Sequence, residues 1–327
     1  MPLSPAGAPS EEELEAAHAL ENDDRVSGRP EMTAFRRRLR LHQSRWRESK
    51  GYPIGTQPIV PKPGKASRPL GSRLPVDYAE ETGENFLSRK ALDAARARVA
   101  TKEPRQSFDR QRFWADLLWS PSMAVNLFGD LAADLRVADR AVHAWWPDAP
   151  GTVSAVRFVH SPGWFDPEYL NSLREFDAAV ELDLGDGGFG IIGVDVKYHE
   201  WAKPETPRPE NMPRYVEVSR RSRAFRRGAI DPLKGKSDLA VTWLEHLLVL
   251  SMLQHPSRRW RWGRYVVVHP AGNTDYAEAT ERYRTLLADD STFSTLSLEE
   301  FLSSGALGRG TVKALRDRYV PERPARA

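Results

Sequence analysis

Residues 175–198 read EFDAAVELDLGDGGFGIIGVDVKY, and this stretch decides the fold class. Its first half alternates strictly. Phe176, Ala178, Val180, Leu182 and Leu184 fall on one face of an extended strand, and Asp177, Ala179, Glu181 and Asp183 on the other. Gly185-Asp186-Gly187-Gly188 is a hairpin-turn signal. The return strand, 190–198, alternates again: Ile192, Val194, Val196 and Tyr198 on one face, Ile191, Gly193, Asp195 and Lys197 on the other. An antiparallel hairpin with one apolar face and one face carrying acids and a lysine is predicted.

Outward from the hairpin, helices and strands follow in an order that fits an α/β sandwich with a mixed sheet. Upstream, 153–160 reads as a strand. Helices are predicted over 31–49, from 83 to about 100, over 108–119 and over 122–145, where Ser120-Pro121-Ser122 is a break-and-cap signal. Downstream come a basic helix or loop at 215–227, a strongly apolar helix at 238–254, a strand at 264–269, a helix at 275–287 and a short strand at 293–296. The stretch 51–75 is rich in Gly and Pro and reads as an extended surface segment. Its Gly64-Lys65 has no glycine five residues before Gly64, so it is not a phosphate-binding P-loop.

With 327 residues, 40% hydrophobic and 28% charged, the chain can bury a core of its own, which excludes wholesale disorder. It has no cysteine, so disulfides, thiolate metal sites and a cysteine nucleophile are excluded. The longest apolar run, 247–253, is far short of the roughly 20 residues that span a bilayer. The N-terminus shows neither the basic nor the apolar region of a signal peptide, so a cytoplasmic protein is expected.

Charge is unevenly placed. Residues 1–24 carry seven acidic side chains and no Lys or Arg, so the net +3 leaves about +10 on the rest of the chain. This opening segment is expected to be a disordered acidic tail. Residues 25–50 hold nine Lys and Arg, and 25–105 reads as a basic N-terminal extension. Such a surplus fits a polyanionic partner.

The chemistry sits on the hairpin. Asp195 and Lys197 are two apart on one strand, and Asp177 lies on its neighbour, near the end away from the turn. Cross-strand neighbours on one face have Cβ atoms about 4.5–5.5 Å apart, so two carboxylates and an ammonium converge. Two like charges about 4 Å apart repel by about 4 kcal/mol at an effective dielectric of 20. One ammonium offsets part of that, and a bound divalent ion removes the conflict. Oxygen ligands without Cys or an obvious His partner favour Mg²⁺ or Mn²⁺ over Zn²⁺.

Phe176-Asp177 followed by Asp195-Val196-Lys197 resembles the motif of the PD-(D/E)XK, or restriction-endonuclease-like, nuclease superfamily, over roughly residues 120–300. The resemblance implies a restriction-endonuclease-like α/β core over 106–320, a central mixed sheet flanked by helices, beside the helical and irregular N-terminal extension. It implies a metal-dependent endonuclease that hydrolyses phosphodiester bonds, with DNA favoured over RNA as substrate. Asp177 and Asp195 would be the metal ligands, the Val196 carbonyl would complete the protein's share, and Lys197 would be the catalytic lysine. A homodimer would suit cutting both strands of a duplex. The sequence departs from the family pattern in having no proline before Asp177 and Asp, not Glu, at 195. The helix before the first strand offers Asn126, Asp130 and Asp134 but no glutamate. Accessory candidates are therefore Asn126, Glu181 and, on the helix after the hairpin, Gln254 and Glu245.

Candidate phosphate contacts are Arg220, Arg221, Arg223, Arg226 and Arg227 after the hairpin, and Arg259 and Arg261 interleaved with Trp260 and Trp262. His199 and His246 read as a strand-end residue and a core histidine. Two other readings stay open: a catalytically weak nucleic-acid-binding module on the same fold, and a protein-interaction scaffold using the acidic tail and basic helix.

Overall fold

The structure is a computed structural model that describes residues 8–57, 67–101, 106 and 108–321. The start of the acidic segment and the Gly64-Lys65 pair lie outside the described residues. In chain order the elements are α1 (Glu11–Ala16), α2 (Pro30–Ser49), β1 (Gly55–Gln57), β2 (Arg68–Leu70), α3 (Val76–Thr82), α4 (Arg89–Ala100), α5 (Arg110–Ala115), α6 (Ser120–Ala132), α7 (Leu135–Trp145) and β3 (Thr152–His160). They continue as β4 (Phe176–Asp183), β5 (Phe189–Val196), α8 (Met212–Ser222), α9 (Ala240–Leu253), β6 (Trp260–His269), α10 (Thr274–Thr285), β7 (Phe293–Ser297), α11 (Leu298–Ser303) and α12 (Arg309–Tyr319).

Strands β3 to β7 form one mixed sheet in sequence order. β3, β4 and β5 pair antiparallel, and β5, β6 and β7 pair parallel. A parallel step needs a crossover, and α8 with α9 supplies the first and α10 the second. Helices therefore cover both faces. Ala178, Val180, Leu182, Ile192, Val194 and Val196 pack in one core with α6, α7 and α2. Ala179, Ile191, Tyr265 and Val267 pack in the other with α8, α9 and α10. The α9 sequence is apolar all round because it is buried all round, from Thr242 to Met252.

Two features differ from the pattern reading. The predicted 122–145 helix is two helices, because the Asp134 side chain accepts from the Arg136 and Val137 amides and starts α7. Phe176 also leaves the face of Ala178 and joins the opposite core. Gly193 permits this: a Cβ there would stand 2.4 Å from the Phe176 ring.

The acidic segment is folded from residue 8 to 24, contrary to the expected disordered tail. Ser10 caps α1 in a capping box with Glu13, and Leu14 is fully buried beside Leu41. Asp24 is fully buried, and Arg40 of α2 grips it at 2.5 and 2.7 Å with Nε and Nη2. His199 Nε2 stands 3.0 Å from the same carboxylate. The basic helix is equally integrated: Phe35, Leu39 and Trp46 share the core of Val196 and Tyr198. Its arginines divide by role. Arg36 and Arg40 are buried structural cations, whereas Arg45 is largely exposed.

Burial alone would push the Asp24 carboxyl up, but the bonds from Arg40 and His199 outweigh it and hold it well below the usual carboxylate range. A depressed carboxylate stabilises the fold above its unfolded pKa, and that contribution is lost as pH falls toward the folded value. We expect Asp24→Asn to cost about 3–5 kcal/mol at neutral pH by leaving the buried Arg40 with only the more distant, exposed Asp23, at 3.6 Å. The cost should shrink below about pH 4. Guanidinium unfolding checks this, beside Glu11→Gln, whose exposed pair with Arg25 should cost under about 1 kcal/mol.

Candidate active site

The β4–β5 ladder runs from Asp183↔Phe189 to Ala178↔Val194 and stops there. Beyond it, side chains replace backbone pairing. The Val196 amide donates to Asp177 Oδ2 at 2.8 Å, and the Asp177 amide donates to Asp195 Oδ1 at 3.4 Å. The two acids are thus locked together where the strands part. β5 continues alone beside β6, with the Lys197 amide donating to the Val268 carbonyl at 2.8 Å.

Asp195 is 2% exposed and carries two further bonds on Oδ2. Lys197 Nζ lies 3.2 Å away, and the Tyr265 hydroxyl donates from 3.0 Å. Tyr265 comes from β6, one strand over, opposite Gly193. The backbone just after Lys197 is pinned by Asn273, whose Nδ2 donates to the Lys197 and Glu200 carbonyls at 3.0 and 2.8 Å. The same Asn273 caps α10, so the helix start and the strand end are one joint.

Two more carboxyls stand close by. Glu245 of α9 is 6% exposed, and its Oε1 accepts from Arg174 at 3.1 Å. Glu175 precedes Asp177 by two residues. The Oε2 atoms of both glutamates are buried without a hydrogen-bond partner.

This crowding appears in the titration of the groups. Burial, then Asp195, pushes Asp177 well above the usual carboxylate range, against the pull of Lys197 and the Val196 amide. Burial, then the charge of Glu245, pushes Glu175 up to about 8. Burial, then Asp195, pushes Glu245 up to about 7 against Arg174 and Lys197. Burial would push Lys197 down, yet Asp195, Tyr276 and Asp177 hold it well above its ordinary value. The neighbouring acids therefore favour the ammonium form of Lys197 against its burial.

A hard divalent cation fits this donor set. Asp177 and Asp195 are the pair able to hold it, with oxygen donors only, and the repulsion that raises Asp177 is what such an ion relieves. Among the described residues, no group of three or more His, Cys, Asp or Glu side chains is arranged to hold a metal ion. Two carboxylates suit an ion that keeps water and phosphate oxygens as its other ligands, as Mg²⁺ does.

The other residues singled out from the sequence disperse. Asn126 joins structure elsewhere: it accepts from the Leu87 amide at 2.7 Å and donates to Asn85 O and Tyr319 Oη at 3.0 and 2.7 Å. Asp130 accepts from Ser88 Oγ at 2.5 Å and from Thr311 Oγ1 at 3.1 Å. Glu181 lies four residues beyond Asp177, about 13 Å along the strand, paired with Arg157 and 3.7 Å from Arg259. Gln254 lies nine residues beyond Glu245, about 13 Å along α9, and donates to Val218 O at 3.0 Å. Glu245, not Gln254, is the α9 residue at the acids. His246 is a satisfied core histidine, bonded to Tyr283 Oη at 2.9 Å and Thr292 Oγ1 at 2.8 Å.

Of the two basic groups, Arg259 and Arg261 sit at the turn end of the sheet, about 20 Å along β5 from Asp195. Arg259 stacks over Phe189 at 4.4 Å, and Arg261 pairs with Asp186 of the turn. Arg220, Arg223, Arg226 and Arg227 line a surface cavity of about 430 Å³ beyond α8. Arg226 Nε donates to Thr285 O at 3.1 Å, and Arg221 pairs with Glu217 at 3.1 Å. This group is about 18 Å, the length of α10, from the Asn273 joint.

Sequence reasoning missed Glu175, Tyr265, Arg174 and Asn273. Two had signals: Glu175 continues the period of two that places Asp177, and Asn273 precedes a helix start.

The carboxyls raised above their ordinary value keep protons that the unfolded chain has released. Stability of the metal-free protein should therefore fall as pH rises from about 5 to 8, the window in which Glu245 and Glu175 ionise. Glu175→Gln should flatten that slope and raise the melting temperature at pH 8 more than at pH 5. Thermal unfolding across this range checks it, and an unchanged slope would contradict it.

The sequence model of one family, the PD-(D/E)XK nuclease superfamily, matches residues 24–321. The match runs well beyond the 120–300 region of the motif resemblance and takes in the N-terminal extension, 25–105. No curated protein and no solved structure matches the chain.

Proposed function

The chain belongs to the PD-(D/E)XK nuclease superfamily, and on that premise we propose that it hydrolyses phosphodiester bonds of DNA at the Asp177–Asp195–Lys197 site with Mg²⁺ or Mn²⁺. One observation carries this reading: the carboxylates of Asp177 and Asp195 meet, with Lys197 Nζ 3.2 Å from Asp195, where backbone pairing gives out. Asp177 and Asp195 would hold the ion, helped by the Val196 carbonyl. When bound, it would supply water activation and neutralise charge on the phosphate.

The protein's own groups have separable tasks. Lys197, kept charged by Asp195, donates to a phosphate oxygen and stabilises charge developing there. Tyr265, a phenol held neutral by burial and Asp195, fixes the Asp195 carboxylate by donating to Oδ2. Asn273 fixes the strand end that carries Lys197. The arginines at the α8 end supply non-specific phosphate contact.

A catalytically weak binding module is the second reading. It draws on the absence, among the described residues, of any group of three ligands arranged for a metal. The protein-scaffold reading loses its motive, since Glu11, Glu13, Glu21, Asp23 and Asp24 pair with the chain's own arginines.

Lys197→Ala should abolish metal-dependent cleavage of plasmid or single-stranded DNA while DNA affinity stays within about twofold. Equal loss of both would contradict a catalytic role. Replacing Arg223 and Arg227 by alanine should weaken binding uniformly across sequences and lower the slope of log K against log salt by about 2. An unchanged slope would remove that cluster from the interface.

A further inference from the structure

Beside the paired acids lies a cavity of about 340 Å³, bounded by the segment before β4, the start of α8 and α9. Leu173, Tyr215 and Leu244 form its apolar walls, and the exposed Arg208 stands at it. Glu175 and Glu245 line it too. The charged groups around it are otherwise well matched: Arg174 bonds both Glu245 and Glu205. Yet Glu175 Oε2 and Glu245 Oε2 are buried with no partner, and Glu245 as a residue is 6% exposed. Buried acceptors left unpaired are costly, so these two oxygens call for donors from outside the chain.

The donors must come from a group reachable from the scissile site, because Glu175 lies just before β4, two residues from Asp177. Inside a duplex a base edge is stacked and paired and cannot enter a side cavity, so the donor belongs to an unpaired nucleotide. Carboxyl groups pair with exocyclic amino groups, as in readout of cytosine N4. Cytosine and adenine offer such an amino group, as does guanine through N2, whereas thymine presents the O4 carbonyl in its place.

Resting on the nuclease reading above, we propose that this cavity receives the amino-bearing edge of an unpaired base next to the scissile phosphodiester, against Glu175 and Glu245. The substrate is then a single strand, or a duplex locally opened, with cytosine or adenine preferred over thymine at that position. Arg208 is placed to meet the phosphate of the inserted nucleotide.

The test is fluorescence anisotropy in EDTA at about pH 9, where both glutamates are ionised, with labelled oligo-dC, oligo-dA and oligo-dT, for the full chain and for Glu175→Gln. Wild type should bind oligo-dC and oligo-dA about tenfold more tightly than oligo-dT, as one good base contact allows. Glu175→Gln, which swaps an acceptor for a donor, should bring the three within about twofold, with circular dichroism and the melting temperature showing it folded. Equal affinities in wild type, or a preference untouched by Glu175→Gln, would overturn the proposal. So would calorimetry showing Ca²⁺ bound by wild type, lost in Glu175→Gln, with no base preference, since a cation would then be the occupant. Lys197-dependent cleavage without base preference removes only the cavity's role. Base preference without cleavage removes only the nuclease reading.

Discussion

Two carboxylates, Asp195 buried and Asp177 half-buried, are held together at the end of a strand pair. That constraint organises the rest of the molecule. Asp177 and Asp195 replace the β4–β5 ladder just where it ends, each taking a bond from the other's strand. The cost of confining like charges is offset by Lys197 and Tyr265, and both depend on β6 lying parallel beside β5. β6 in turn reaches its place through the buried helix α9, which delivers Glu245 to the same neighbourhood. A change in any of these elements would be felt as electrostatic imbalance at the acids.

The N-terminal segment extends the same logic to the far side of the sheet. Val196 and Tyr198 point into the core that Phe35, Leu39 and Trp46 of α2 complete. Asp24, Arg40, Arg36 and His199 then form a buried charged knot two residues from Lys197. The strand end that carries the lysine is therefore clamped from both sides: by Asn273 on α10 and by α2 through the Arg36 bond to the His199 carbonyl, 3.1 Å long. The family match, which starts at residue 24, takes in this segment.

Much of this was legible in the sequence, for a local reason. Strand alternation over 175–198 is set by nearest neighbours, so the hairpin, its acid face and the Asp177, Asp195 and Lys197 positions follow from pattern alone. What pattern could not supply is non-local. Phe176 changes face because Gly193, on another strand, has no side chain to stop it. The parallel register of β6, which pattern does not give, puts Arg259 and Arg261 at the turn end, away from Asp195. The acids of 8–24 read as a free tail because their partners, Arg40, Arg45 and Arg68, lie up to 47 residues away. Asn126 sits in the right helix but is consumed by Asn85, Leu87 and Tyr319.

On the reading proposed above, Asp177 and Asp195 share a divalent cation. Calorimetric titration of Mn²⁺ into the wild-type chain and Asp177→Asn tests it most directly. Binding to wild type should release protons to the buffer, because burial and Asp195 raise the proton affinity of Asp177 and a bound ion opposes that. The account predicts no binding to Asp177→Asn, which should be as well folded as wild type. Equal binding by both proteins, or none by wild type, would contradict it.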